Sequence, residues 1–268
     1  MTKMKQFEIN KITPNYAYLL GVLLGDGNIM YNRIRIAVKD KDFILNVREK
    51  LQKIVREKIK IVKKDNTNGF LKNKKTSFLF HIEFNSVNFV KLIRRDIKKI
   101  EFLENKKCQI AFLEGLYDSE GSVDFDRLRI RLIMKNKEVI RLISIHLNNL
   151  KIKHFVSQFK NKRGKPKDYP KWSIIRIYDD KVLKFNKLIH FSIWRKEKIL
   201  INLIKKKRDK EEYEIKKRKE TLIMKRKEWC KKYNLTRNQY QRHKRVEKSK
   251  KNYFLLKRLF LTFSKWFF

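Results

Sequence analysis

Asp26 and Glu120 stand where acids are disfavoured. Each ends an apolar, helix-like run and is followed at once by glycine: "LLGVLLGDG" over Leu19–Gly27 and "LEGLYDSEG" over Leu113–Gly121. A helix C-terminus already gathers partial negative charge, so a carboxylate there needs something positive nearby. If the two helix ends meet, the like charges also raise each other's pKa. A hard divalent cation answers both demands, because it takes oxygen ligands and can bridge a carboxylate and a phosphate. The carbonyls of Gly25 and Ser119, in the same last turns, are candidate further ligands.

What must position these acids is a pair of packed helices. Gly21 and Gly25 are four apart and share a helix face, and Gly115 and Ser119 occupy the same places in the second run. Small residues at that spacing let helix backbones approach closely. The helices are therefore expected to pack on each other through Gly21, Gly25, Gly115 and Ser119, with Leu20, Leu23 and Leu24 pointing into cores. Gly27 and Gly121 are expected to stop them at positive φ.

The two runs belong to a diverged internal repeat. Gly21 falls on Gly115, Asp26 on Glu120, Gly27 on Gly121, Arg33 on Arg127 and Arg35 on Arg129; a later two-residue insertion brings Lys39 onto Lys135. Each copy reads helix, two strands, helix, two strands, helices. The first copy predicts helices at 15–25, 40–57 and 86–100, with strands at 28–31, 33–39, 59–64 and 77–84. The second predicts helices at 107–119, 137–150 and from 179 onward, with strands at 122–125, 127–135, 155–160 and 172–178. The fold class is α+β with mostly antiparallel strands.

Strand parity separates two faces. Ile34, Ile36 and Val38 form the core side of "RIRIAVK", leaving Arg33, Arg35, Ala37 and Lys39 opposite. In "RLRIRLIMK", Leu128, Ile130 and Leu132 are core, and Arg127, Arg129, Arg131 and Lys135 share the other face. A row of arginines suits the DNA major groove, where Arg pairs with guanine O6 and N7. Lys60, Lys64 and Arg176, on the outer strands, extend this predicted DNA-binding set. The basic connections 65–76 and 161–171 are expected to reach the outer ends of a long site.

Composition agrees. Lys plus Arg number 70 against 28 Asp plus Glu, a net charge of +42, so the expected partner is a polyanion. Two distant cysteines, Cys108 and Cys230, make neither a disulfide framework nor a zinc spacing. The terminal run "YFLLKRLFLTFSKWFF" is too short to span a bilayer and is cut by Lys257, Arg258 and Lys265. The N-terminus lacks a signal-peptide core. An intracellular protein of cytoplasm, nucleoid or organelle, not a secreted one, is expected. From about residue 205 the chain becomes a basic helical extension, within which "RKEWCKKYNLTRNQYQRHKR", 226–245, resembles a helix-turn-helix. The aromatic cluster Phe260–Phe268 is expected to fold back on the core.

The two nine-residue motifs resemble those of the LAGLIDADG homing endonucleases, specifically the single-chain members with two motifs, over roughly residues 12–205. The resemblance implies two αββαββα subdomains, 1–104 and 105–208, related by a pseudo-twofold axis and followed by the extension 209–268. Motif helices would form the interface, and two saddle-shaped antiparallel sheets would straddle duplex DNA. Asp26 and Glu120 would hold divalent ions, Mg2+ by default with Mn2+ as a substitute, at the two scissile phosphates. Water would attack in line, one phosphodiester per strand, leaving 3′ overhangs. Lys39 and Lys135, basic residues beyond the metal site, would stabilise developing charge or help activate water. The chain would act as a monomer, a pseudo-dimer in one polypeptide, on double-stranded DNA, with no membrane partner. Two alternatives stay open: an RNA maturase, with intron RNA as partner, and a non-cutting DNA-binding regulator of the same fold.

Overall fold

Thr13 opens the first helix: its side-chain oxygen accepts the backbone N–H of Tyr16 at 3.3 Å, and Pro14 takes the first helical position. Proline is well placed there because that N–H has no intrahelical partner. Helix α1 runs Pro14–Gly25 and is buried from Tyr16 to Leu23. Such all-round burial leaves no polar face, as befits a helix enclosed on every side. The computed structural model describes residues 11–65, 78–158, 172–178, 180–223, 226–234, 236, 238–239, 241–242 and 245. The chain divides into two units, 1–204 and 205–268.

In the first unit, α1 is followed by β1 (Gly27–Ile29), β2 (Arg33–Val38), α2 (Lys41–Val55), β3 (Val62–Asp65), β4 (Phe78–Asn85) and α3 (Val87–Ile97). The order then repeats. It gives α4 (Lys106–Glu120), β5 (Gly121–Asp124), β6 (Arg129–Met134), α5 (Lys137–Asn149), β7 (Phe155–Gln158), β8 (Ser173–Tyr178) and α6 (Asp180–Leu188). Each copy builds one antiparallel four-stranded sheet, ordered β1-β2-β4-β3 and β5-β6-β8-β7. Asn105 caps α4 by accepting from the N–H of Lys107 at 2.9 Å, and Asn136 caps α5 in the same manner. The expected α+β repeat is thus present, with Ile34, Ile36, Ile130 and Leu132 fully buried under the helices.

Three local expectations need correction. Neither Gly27 nor Gly121 has a positive φ; Gly121 sits at φ −73°, ψ 148°, already extended. The glycines are needed for space: a Cβ would lie 2.4 Å from the Leu23 Cα at Gly27, and 2.4 Å from the Tyr117 carbonyl oxygen at Gly121. The insertion in the second copy also falls earlier than aligned. β2 and β6 are both six residues long, and Gly27 pairs with Ile36 as Gly121 pairs with Leu132. Arg33 therefore corresponds to Arg129 and Arg35 to Arg131. Arg127 is in the β5–β6 turn and not on the strand, and Leu128 adopts a left-handed φ of 48°. Lys60 precedes β3, which begins at Val62.

In the second unit, the described residues are helical from Lys205 to the end of α7 (Trp194–Ile223), then in α8 (Arg226–Lys232). A turn follows, with Asn234 at φ 47°. Thr236 and Gln239 then form a capping box: the Thr236 N–H donates to Gln239 Oε1 at 2.8 Å, and the Gln239 N–H to Thr236 Oγ1 at 3.4 Å. Among the described residues no helix is long and apolar enough to cross a membrane. The connections at 66–76 and 161–171 and the cluster 260–268 lie outside the described residues.

Candidate active site

The site is made by how closely α1 and α4 approach. A Cβ at Gly21 would lie 2.2 Å from the Phe112 carbonyl oxygen and 3.0 Å from the Leu116 nitrogen. A Cβ at Gly115 would lie 2.2 Å from the Tyr18 carbonyl oxygen and 3.0 Å from the Val22 nitrogen. The two contacts mirror each other, as a pseudo-twofold axis between the helices requires. Further along, a Cβ at Gly25 would meet the Ser119 Cβ at 2.5 Å and the Glu120 Cγ at 3.3 Å. All four small residues singled out in the sequence therefore line the helix contact. They carry the two acids to the same end of it: Asp26 as the residue closing α1, Glu120 as the last residue of α4.

Electrostatics at that end follow from crowding. Burial among the helix ends raises the Asp26 carboxyl even though the residue as a whole is exposed; Lys196 opposes the rise and Asp40 adds to it. Glu120, half-buried, is raised first by burial, then by Asp26, with Lys196 opposing. Each acid thus resists ionising until a cation offsets it.

Lys196 is not among the residues that the sequence motifs single out. It belongs to the first turn of α7, is 8% exposed, and donates from Nζ to the carbonyls of Tyr117 at 3.2 Å, Asp118, and Ser119 at 3.4 Å. One ammonium therefore caps the last turn of α4, where the Tyr117 carbonyl also accepts the Gly121 N–H and helix-end carbonyls in general run short of intrahelical donors. Burial lowers its pKa, while Asp118, Asp26 and Asp40 hold it up. A signal was present: Lys196 is four before Leu200 and seven before Leu203, both fully buried, so it occupies a core-facing position.

Asp118 anchors this corner. It is 1% exposed and accepts from the Tyr18 hydroxyl at 2.6 Å, the Ser192 N–H at 2.8 Å and the Ser192 hydroxyl at 2.7 Å. Asn46 Nδ2 completes the set by donating to the Tyr18 oxygen at 2.9 Å. The network ties α1, α2, α4 and the entry to α7 together, and so fixes where Lys196 emerges.

Lys39 and Lys135 each follow their strand directly, in equivalent positions. Lys39 is exposed and adjoins Asp40, whose carboxylate pairs with Arg195 at 3.0 Å. Lys135 places its Nζ 4.8 Å from the centre of the Trp172 ring. The cation acting on both acids is Lys196, and neither strand-end lysine is among the charges that shift them.

The outward sheet faces carry Arg33, Arg35, Arg129, Arg131 and Arg176, but most are tied down. Arg33 pairs with Glu83 at 2.9 Å, and Arg35 Nη2 lies 3.1 Å from His81 Nδ1. Arg129 is only 8% exposed and pairs with Asp124 at 2.7 Å. Arg131 donates to Ser122 at 3.0 Å and Arg176 to Ser157 at 2.5 Å. Lys64 is exposed on β3, and Arg127 is exposed in its turn.

The residues at the helix ends suit a hard divalent ion. They are two carboxylates reluctant to stay ionised alone, with last-turn carbonyls beside them, all oxygen donors. The Ser119 carbonyl also receives Lys196, which leaves the Gly25 carbonyl the better placed of the two predicted carbonyl ligands. Among the described residues no group of three or more His, Cys, Asp or Glu gathers to hold a metal. A site of two carboxylates needs oxygens from elsewhere, such as water or phosphate.

Comparison with known proteins gives concordant results. A family model described as a LAGLIDADG-like domain matches residues 107–190. An uncharacterised protein of Methanocaldococcus jannaschii is 28% identical over 207 residues, 72% of this chain and 72% of that protein. A probable translation initiation factor IF-2 of the same organism is 30% identical over 202 residues, which span 75% of this chain but 17% of the factor. Homing endonuclease I-DmoI of Desulfurococcus mucosus is 25% identical over 153 residues, 55% of this chain and 76% of the enzyme. The solved structure of I-DmoI in complex with DNA and Mn has the same fold, with a TM-score of 0.50 and 23% identity over 67% of this chain and 97% of that one.

Proposed function

We propose that this chain, a LAGLIDADG protein of the single-chain, two-motif type, is a homing endonuclease that makes divalent-metal-dependent double-strand breaks at a long DNA site. The observation that carries the proposal is the α1–α4 contact. Nothing about stability calls for two carboxylates, each with a raised pKa, at the tight end of a helix pair. Hydrolysis of two phosphodiesters, one on each strand, does call for them.

Asp26 and Glu120, with the Gly25 carbonyl, would hold the ions, Mg2+ by default and Mn2+ as a substitute. When bound, such an ion activates water and neutralises charge developing on phosphoryl oxygens. The rest falls to the protein. The glycine contact fixes the spacing of the two carboxylates and hence of the two cuts. Lys196 holds the end of α4 and, as a nearby cation, favours the ionised form of both acids. Lys39 and Lys135 are proposed as phosphate contacts beside the cuts, where a fixed cation stabilises charge that grows as the bond breaks. Cuts made across the minor groove would leave 3′ overhangs. The two sheets grip the duplex through Arg33, Arg35, Lys60, Lys64, Arg127, Arg131 and Arg176, and the chain acts as a monomer. Arg129, paired with Asp124, is proposed as a support of that surface. The capping box at Thr236–Gln239 supports a helix-turn-helix-like accessory role for 209–268.

The test is to incubate the full chain with a duplex carrying the uninterrupted form of the locus around its gene, with Mg2+ and with a chelator. Metal-dependent double-strand cutting at one place supports the endonuclease. Intron RNA bound tightly, with the duplex left whole, overturns it in favour of the maturase. A metal-independent footprint that requires 226–245 does so in favour of the regulator.

A further inference from the structure

The two DNA-facing sheets are not chemically equivalent, and the difference centres on Phe155. In register, Arg33 pairs with Asn85 and Arg129 with Tyr178, so Asn85 corresponds to Tyr178 and Glu83 to Arg176. Val62 pairs with His81 as Ser157 pairs with Ile174, so Phe155, two residues before Ser157, takes the place of Lys60. Where the first sheet offers a lysine, an amide and a carboxylate, the second offers a phenyl ring, a phenol and a guanidinium.

The arginine expected to read bases there is engaged. Arg129 Nε donates to Asp124 Oδ2 at 2.8 Å, and its Nη1 donates to the Tyr178 hydroxyl at 3.1 Å. To reach guanine it would have to abandon a nearly buried carboxylate, and a charge left unpaired in that setting is costly. Phe155 is free to act. It is 65% exposed, stands directly opposite Arg176 on the outward face, and meets the Tyr178 ring edge-on at 5.8 Å between centres. The Tyr178 ring is held through its hydroxyl by Arg129, so the phenyl rests on a fixed support.

In an intact duplex the π-faces of bases are stacked away, and a phenyl ring in the major groove meets only base edges. One apolar group is displayed there, the thymine 5-methyl. We propose that Phe155, steadied by Tyr178, reads a thymine methyl in the outer part of the half-site under β5-β6-β8-β7. The proposal rests on the endonuclease reading above.

The experiment is selection of bound duplexes from a randomised pool by the full chain, its Phe155→Ala variant and its Phe155→Leu variant. A uracil-for-thymine exchange at the enriched position of the selected site follows. Wild type is expected to enrich a thymine that Phe155→Ala loses and Phe155→Leu keeps. Uracil there should weaken wild-type binding about fourfold, the factor for withdrawing one methyl group from water, and leave Phe155→Ala unaffected. Equal wild-type affinity for thymine and uracil, or the same thymine enriched by Phe155→Ala, overturns the proposal. Failure of all three proteins to enrich any sequence refutes the site-specific reading beneath it instead.

Discussion

Gly21→Ala is the most exacting perturbation of this structure. The new Cβ would lie 2.2 Å from a backbone carbonyl oxygen of α4, and ordinary contact begins at 3.4 Å, so the helices must part by about 1.2 Å. Backbone cannot rotate out of the way as a side chain can. A gap of that order forfeits up to half of each dispersion contact; with about 40 atom pairs at about 0.15 kcal/mol each, the loss is about 3 kcal/mol. Gly115→Ala should cost the same, because its Cβ meets the Tyr18 carbonyl oxygen at the same 2.2 Å. Gly25→Ala meets side-chain atoms of Ser119 and Glu120, and should cost about 1 kcal/mol. Adding Ser119→Gly should then recover part of that loss, a coupling that a double-mutant cycle measures. Urea unfolding of wild type and these variants, with Ser119→Gly alone included, checks the series. A Gly21→Ala protein within about 0.5 kcal/mol of wild type would refute the close-contact account, since that is the range of an ordinary surface change.

Other consequences can be checked with similar means. Lys196→Met leaves Asp118 with one cation fewer and removes the ammonium that three last-turn carbonyls share; it should cost about 3–5 kcal/mol, read as a lower urea midpoint. Any cutting that remains should need higher pH, because Lys196 lowers the pKa of both Asp26 and Glu120. In the metal-free protein the raised carboxyls destabilise once ionised. Their favourable share is complete below the unfolded-state pKa and is lost as pH rises through the raised folded value. Asp26→Asn should therefore be more stable than wild type at neutral pH without metal, with the gap closing in acid; a less stable variant at neutral pH would contradict this. Asp124→Ala releases Arg129 and should lower stability through the unpaired guanidinium, seen as a fall in thermal midpoint.

What the sequence discloses is what local spacing controls. Gly21, Gly25, Gly115 and Ser119 share helix faces, so their contact could be anticipated from a spacing of four. The alternation of Ile34 and Ile36 with Arg33 and Arg35 fixes a core side and an outward side. Features that depend on distant partners were not legible. Lys196 reaches α4 from 76 residues beyond Glu120, and only the third dimension makes it the cap of that helix. Arg129 looks like a free reader until the β5–β6 turn brings Asp124 beside it. The same turn absorbs the extra residues of the second copy, which shifted the aligned arginines by two. Helix ends in general predict positive φ at Gly27 and Gly121. Here the chain enters a strand at once, and the glycines serve close approach instead.

The central claim is that Asp26 and Glu120 together carry the cutting of a duplex and not its binding. It is tested most directly on a strand-labelled target with Mg2+, comparing wild type, Asp26→Asn, Glu120→Gln and the double variant. Wild type should cut both strands. Each single variant should bind with unchanged affinity and lose or greatly slow at least one cut, and the double variant should bind and cut neither. Wild-type rates of cutting on both strands by the double variant would contradict the account.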